Sequence, residues 1–199
     1  MVYFSYMESL RGATVVFIGR PGSGKGTQSE LLEAACRAAG LSAVRVTLGD
    51  AGRALALKKT LIGEWVNGMM DSGAPFPSWL AFALLVEALE GSLTDKEQVL
   101  ILDGAPRRLF EAQALDELMK DIGRSLPRAV HLAISPEESR ARLVLRGRED
   151  DTESGIGRRL AWFETEVVPV ISYYEGRCAE VVGEGDPKEI HRAIVSVFV

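Results

Sequence analysis

Five short apolar runs rich in β-branched residues recur along the chain: Thr14 to Ile18, Ala43 to Thr47, Val99 to Leu102, Ala129 to Ala133 and Ala179 to Val182. None alternates with polar residues, and helical patterns separate them, so they predict a parallel sheet covered on both faces. The first run leads through a Gly-rich turn into a helical stretch from Thr27 to Ala39, with Gly40 placed as a C-cap. The expectation is a five-stranded α/β domain without internal repeats.

Two segments interrupt the alternation. About fifty residues, Leu48 to Gln98, separate the second and third strands, too many for one crossover helix. Gly and Pro around Asp71 to Ser78 supply a turn between helices, which predicts a helical insertion over about residues 48–77. The second interruption is the polar stretch Gly147 to Gly155, read as a short lid. It lies between an arginine-bearing helix that starts after Pro136 and a long helix ending near Tyr174. The whole chain, residues 1–199, reads as one domain with these two additions.

Composition narrows the function. With 47% hydrophobic and 26% charged residues this is an ordinary globular chain. Its 23 basic against 28 acidic residues leave a net charge of −5, which argues against nucleic-acid and acidic-membrane partners. The basic residues are 17 Arg and 6 Lys, an excess of planar, bidentate donors. Cys36 and Cys178 stand far apart and form neither a disulfide framework nor a zinc cluster. Residues Met1 to Gly12 lack the pattern of a signal peptide, and the apolar run Trp79 to Val86 is too short to span a bilayer. A cytoplasmic protein is expected.

The chemistry concentrates in Gly19-Arg20-Pro21-Gly22-Ser23-Gly24-Lys25-Gly26-Thr27-Gln28, directly after the first strand. Backbone N–H groups of such a loop converge on an anion, the following helix N-terminus adds a positive dipole end, and Lys25 reaches the outer phosphates of a nucleotide. The strict phosphate-loop pattern has Ser or Thr directly after the Lys. Here Gly26 takes that place and Thr27 follows.

This segment resembles the phosphate loop of adenylate kinases and related nucleoside monophosphate kinases, and the resemblance extends from Thr14 to about Tyr174. Thr47-Leu48-Gly49-Asp50-Ala51-Gly52-Arg53 is similar to the start of that family's monophosphate-binding helices, and Leu102-Asp103-Gly104-Ala105-Pro106-Arg107 to its Asp-Gly-aromatic-Pro-Arg motif. Arg142 and Arg146 match its Arg-x-x-x-Arg, while Arg148-Glu149-Asp150-Asp151 and Arg158-Arg159 match its lid elements. The resemblance implies a three-layer P-loop NTPase fold and transfer of the ATP γ-phosphate to a nucleoside monophosphate, with Mg²⁺ as cofactor. It implies ATP binding by Gly22, Ser23, Gly24, Lys25, Gly26, Thr27, Arg142 and Arg146. Leu48, Arg53, Gly104, Arg107 and Glu111 fall on the monophosphate side. Thr27 and Asp103 would serve the metal, partly through water. Lys25, Arg107, Arg142, Arg146, Arg148 and Arg159 would carry the catalytic charge. The short lid and small size permit a monomer.

Three residues depart from the family pattern: Leu48 where a Thr is common, Ala105 where an aromatic is usual, and Glu111 where a Gln reads adenine. An ionised Glu only accepts hydrogen bonds, which suits guanine or the amino group of cytosine better than adenine N1. Alternatively Glu111 pairs with Arg107 four residues earlier on the same helix and reads no base. AMP is the first choice of acceptor, with GMP or CMP as alternatives. A non-catalytic nucleotide-binding homologue, and a kinase for a small non-nucleotide acceptor, are the other readings.

Overall fold

The computed structural model describes residues 7–147 and 151–198. The strands β1 (Thr14–Gly19), β2 (Ala43–Thr47), β3 (Val99–Asp103), β4 (Arg128–Ala133) and β5 (Cys178–Val182) form one sheet in the order β2-β3-β1-β4-β5. Every pairing is parallel.

Side chains leave a strand on alternate faces, so each apolar run feeds two cores. Val15, Phe17, Ile101, Val130 and Leu132 pack against Leu32 and Cys36 of α1 (Lys25–Ala38). Ile190 and Ile194 of the C-terminal helix (Pro187–Ser196) join the same layer. On the other face, Val16, Ile18, Leu100 and Leu102 meet Leu85, Leu115, Met119, Phe163, Val170 and Tyr174. Each fully buried Val, Leu, Ile or Phe side chain stabilises such a core by about 1.5–3 kcal/mol.

Between β2 and β3 the chain forms α2 (Leu48–Ala56), α3 (Leu61–Asp71) and α4 (Ser78–Glu90). The first two, with the N-terminal part of α4, enclose a separate small core of Leu48, Val66, Leu80, Ala81, Leu84 and Ala105. Phe76 closes it by lying over Gly52, where any larger residue would collide with the ring. The rest of α4 joins the main core through Leu85 and Leu89.

After β3 come α5 (Leu109–Asp121), then β4 and α6 (Pro136–Arg146). Ser135 caps α6 by accepting from the Glu138 N–H, with Pro136 in the first turn, where its missing N–H costs nothing. The helix expected to run on to Tyr174 is composite: α7 (Glu153–Trp162), a π-turn (Phe163–Val167) and α8 (Val168–Tyr173). Pro169, inside α8, has no N–H to donate to the preceding turn, and the wider π spacing lies just before it. The C-terminal helix is α9. Among the described residues no helix is long and apolar enough to cross a membrane.

Candidate active site

The carboxyl ends of parallel strands open onto the crevice where α/β proteins bind ligands. Here β1 ends at Gly19 and its neighbour β3 at Asp103, two strands apart in sequence but adjacent in the sheet. The loop after β1 turns into α1 at Lys25, two residues earlier than the pattern had placed the helix. Gly24 makes that early start possible. It caps the helix at φ 92°, a left-handed conformation that side-chain-bearing residues rarely adopt. No side chain caps this N-terminus, so its N–H groups are left for another acceptor.

Lys25 Nζ folds back under the loop and donates to the carbonyls of Gly19 (2.8 Å) and Arg20 (2.9 Å) and to Ser23 Oγ (3.3 Å). Burial, opposed by the charge of Asp103 and assisted by those of Arg107 and Arg146, pushes its pKa down to about 8. Donor lysine, strand-end carboxylate and two arginines therefore share one electrostatic neighbourhood. Thr27 is exposed in the first turn of α1.

Gly104 follows β3 at φ 80°, and the Arg107 guanidinium lies against it: a Cβ on Gly104 would stand 2.8 Å from Arg107 Nη2. Burial lowers the Arg107 pKa, opposed by Asp103 and Glu111. Glu111 does not pair with Arg107 along one helix, because α5 begins only at Leu109. Its Oε2 instead accepts the backbone N–H of Arg107 at 2.7 Å, one residue before the N-cap Arg108. Glu111 is only 4% exposed, and burial raises its pKa.

Arg142 joins α6 to the loop. Its Nε donates to Glu138 (2.6 Å), and its Nη1 donates to the carbonyls of Gly183 (3.0 Å) and Gly22 (3.4 Å). Arg146 makes a two-pronged bond to Asp151, with Nε and Nη2 at 2.9 and 2.7 Å from its two oxygens. Arg159, from α7, donates to the same carboxylate at 2.5 Å. The Asp151 side chain is 1% exposed, so one buried carboxylate holds two arginines from two helices. Arg53 stands apart from this cluster, exposed on α2 and paired with Asp50 of its own helix. Leu48 is buried in the core of the helical arm. Arg148 lies outside the described residues.

A helix N-terminus that no side chain caps, the ammonium of Lys25 beneath it and the guanidinium groups of the neighbouring elements make a receptor suited to polyphosphate. A family model for adenylate kinase matches residues 17–179. The chain belongs to the adenylate kinase family. The chain is 35% identical over 175 residues to adenylate kinase 1 of Nostoc sp., covering 88% of this chain and 91% of that protein. It is 36% identical to an adenylate kinase of Thermus thermophilus over 190 residues, 92% and 95% of the two chains. An adenylate kinase of Corynebacterium urealyticum is 33% identical over 179 residues, 90% and 95% of the two. As a member of the adenylate kinase family this chain is a nucleoside monophosphate kinase, an ATP:AMP phosphotransferase.

The family uses Mg-ATP, and the residues at the loop fit that ion. Asp103 Oδ2 lies beside Gly26, 3.4 Å from where a Cβ would stand, and Thr27 follows in the same turn. Mg²⁺ takes oxygen ligands and commonly keeps several waters and substrate phosphates, with one or two protein oxygens. Among the described residues no group of three or more His, Cys, Asp or Glu forms a dedicated cage.

Asp151 is the residue that reading the adenylate kinase motifs passed over. In Arg148-Glu149-Asp150-Asp151 the family resemblance implies a role for the arginine alone. Two carboxylates shortly after an Arg-x-x-x-Arg helix were the available signal.

Proposed function

We propose that this chain moves the γ-phosphate of Mg-ATP to AMP, with the β1 loop holding the donor and Arg107 the acceptor phosphate. One arrangement supports this most: Lys25 lies under the loop after β1, and Asp103 and Arg107 stand at the end of its sheet neighbour β3, with Asp103 Oδ2 beside Gly26. Phosphoryl transfer needs alignment and positive charge rather than a side-chain nucleophile.

In this mechanism the N–H groups of Gly22 to Thr27 and the α1 dipole hold the donor phosphates, and Lys25 leaves the Gly19 and Arg20 carbonyls for them. Mg²⁺, when bound, neutralises charge on the outer phosphate oxygens, with Asp103 and Thr27 holding it in part through water. Arg53 and Arg107 orient the acceptor phosphate in line, beside Gly104 and Leu48. Arg142, Arg146, Arg148 and Arg159 close over the moving group, exclude water and protect ATP from hydrolysis. The arm over residues 48–77 and the lid over residues 147–155 are the parts that close, and the protein works as a monomer in the cytoplasm.

The bond from Arg107 N–H to Glu111 favours Glu111 as an anchor of the acceptor arginine rather than a reader of guanine or cytosine. The test is an acceptor panel of AMP, GMP, CMP, UMP and dTMP at fixed Mg-ATP. AMP should give the highest kcat/KM, and Glu111→Gln should leave the order of acceptors unchanged. A preference for GMP or CMP that Glu111→Gln turns toward AMP would replace this assignment.

A further inference from the structure

Two arginines outside the polyphosphate cluster are held in the same way. Arg20, the second residue of the phosphate loop, stacks on Phe163 with its Cζ 4.9 Å from the ring centre. It also pairs with Glu164 at 2.7 Å and donates to the Ile134 carbonyl at 2.9 Å. Arg108, next to Arg107, stacks on Trp162 at 5.5 Å and pairs with Glu166 at 3.1 Å. Its Nη1 donates to the Phe76 carbonyl at the end of the helical arm, 2.8 Å away.

All four partners, Trp162, Phe163, Glu164 and Glu166, belong to the π-turn or the residue before it. Residues two apart do not face each other on a helix, so the two carboxylates leave on different flanks. One flank meets the donor loop and the other the acceptor loop. Phe163 is 2% exposed in the main core, which makes the turn a rigid mount. The pairing of β1 with β3 fixes where the two loops start, and the π-turn holds their far sides.

We propose that Arg20 and Arg108 are positioning residues for phosphoryl transfer: they hang the donor loop and the acceptor-arginine loop on one π-turn and so set the Lys25 to Arg107 spacing. The backbone supports the same link. The Arg20 carbonyl is one of the two that hold Lys25 Nζ, and Arg108 is bonded directly to Arg107. A misplacement of about 1 Å can cost about 10²-fold in rate, which gives such a mount its leverage. Each arginine is also held by its stacking on an aromatic ring, so the ion pair is not the sole tether.

The kinetic part rests on the ATP-to-AMP reading, and the experiment separates the two. Arg20→Met, Glu164→Gln, Arg108→Met and Glu166→Gln are assayed for kcat and for KM of ATP and AMP. Amide exchange is followed by mass spectrometry in peptides covering residues 19–25 and 104–108, with Arg128→Met as a control for loss of an arginine stacked on an aromatic ring elsewhere. Each strut variant should lose about tenfold in kcat with both KM values within about twofold, while the control keeps wild-type kcat. Arg20→Met with Glu164→Gln should lose no more than the worse single change, because both break one contact. Glu164→Gln with Glu166→Gln should multiply the losses. Exchange should speed up in residues 19–25 for the first pair and 104–108 for the second. A rise in KM at constant kcat would mean that these arginines touch substrate, and would overturn the proposal, as would unchanged exchange in both peptides. Wild-type protein without AMP phosphorylation would overturn the proposed function instead, and the exchange result would still decide whether the strut holds the loops.

Discussion

The phosphate loop and the helical arm each present a cation, Lys25 and Arg53, but they hold it differently. Lys25 is folded under its loop on two carbonyls and a hydroxyl, close to Asp103, Arg107 and Arg146. Arg53 is exposed and tied only to Asp50, one turn away on α2, among the interactions described for it. An exposed pair of this kind stabilises by about 0–1 kcal/mol. The donor side is thus assembled on the sheet itself, where strand pairing fixes Gly19 and Asp103, whereas the acceptor side borrows a residue from an arm with its own small core. Preorganised charge is where a transition state gains most, so Lys25 and Arg107 should dominate kcat and Arg53 should act chiefly on acceptor affinity.

The largest effect that could break this contrast is Lys25→Ala, expected to lower kcat by about 10³-fold or more with little change in thermal stability. Arg107→Ala should cost about 10²- to 10³-fold in kcat/KM for AMP. Equal losses from Arg53→Ala in kcat itself would erase the distinction between the two sides. Asp151→Asn removes the carboxylate that gathers Arg146 and Arg159, and about tenfold in kcat should go with it; stopped-flow single turnover would place the loss in the transfer step.

A pH profile sharpens the comparison further. Free Lys25 has a pKa pushed down to about 8, so kcat/KM for ATP should fall as pH rises through that value. Bound polyphosphate favours the ammonium, so the alkaline limb of kcat should lie higher. Stability runs the other way at this residue. Between about 8 and the ordinary 10.5 the unfolded chain binds more protons there, so the Lys25 contribution to stability rises with pH across that window. The smallest effect belongs to Asp50→Asn, which frees Arg53 from its helical partner; KM for AMP should move less than about threefold, measured at low ionic strength where such pairs count most.

The sheet and the phosphate loop were legible because their signals are local. A run such as Val15 to Ile18 is apolar on both strand faces only if both faces are covered, and a Gly-rich turn before a helix states its own backbone needs. The ends of elements were less legible: the start of α1 moved to Lys25 because Gly24 adopts a left-handed cap that no residue pattern requires. Of the two roles open to Glu111, an i, i+4 pair with Arg107 needs both residues on one helix, and Arg107 lies before α5. The carboxylates that hold Arg20 and Arg108 were not legible at all. Glu164 and Glu166 meet Arg20 and Arg108 across 144 and 58 residues of chain, contacts that exist only once the sheet order and the π-turn are in place.

The most direct measurement is the initial rate of ADP formation from Mg-ATP and AMP by the purified full chain, with Lys25→Ala run beside it. The account predicts AMP-dependent turnover on the order of 1–10³ s⁻¹, within the common range for enzymes, and its loss by about 10³-fold in the variant. Wild-type protein that binds ATP but forms no ADP above the background without AMP, or a Lys25→Ala variant that keeps near-normal turnover, would contradict it.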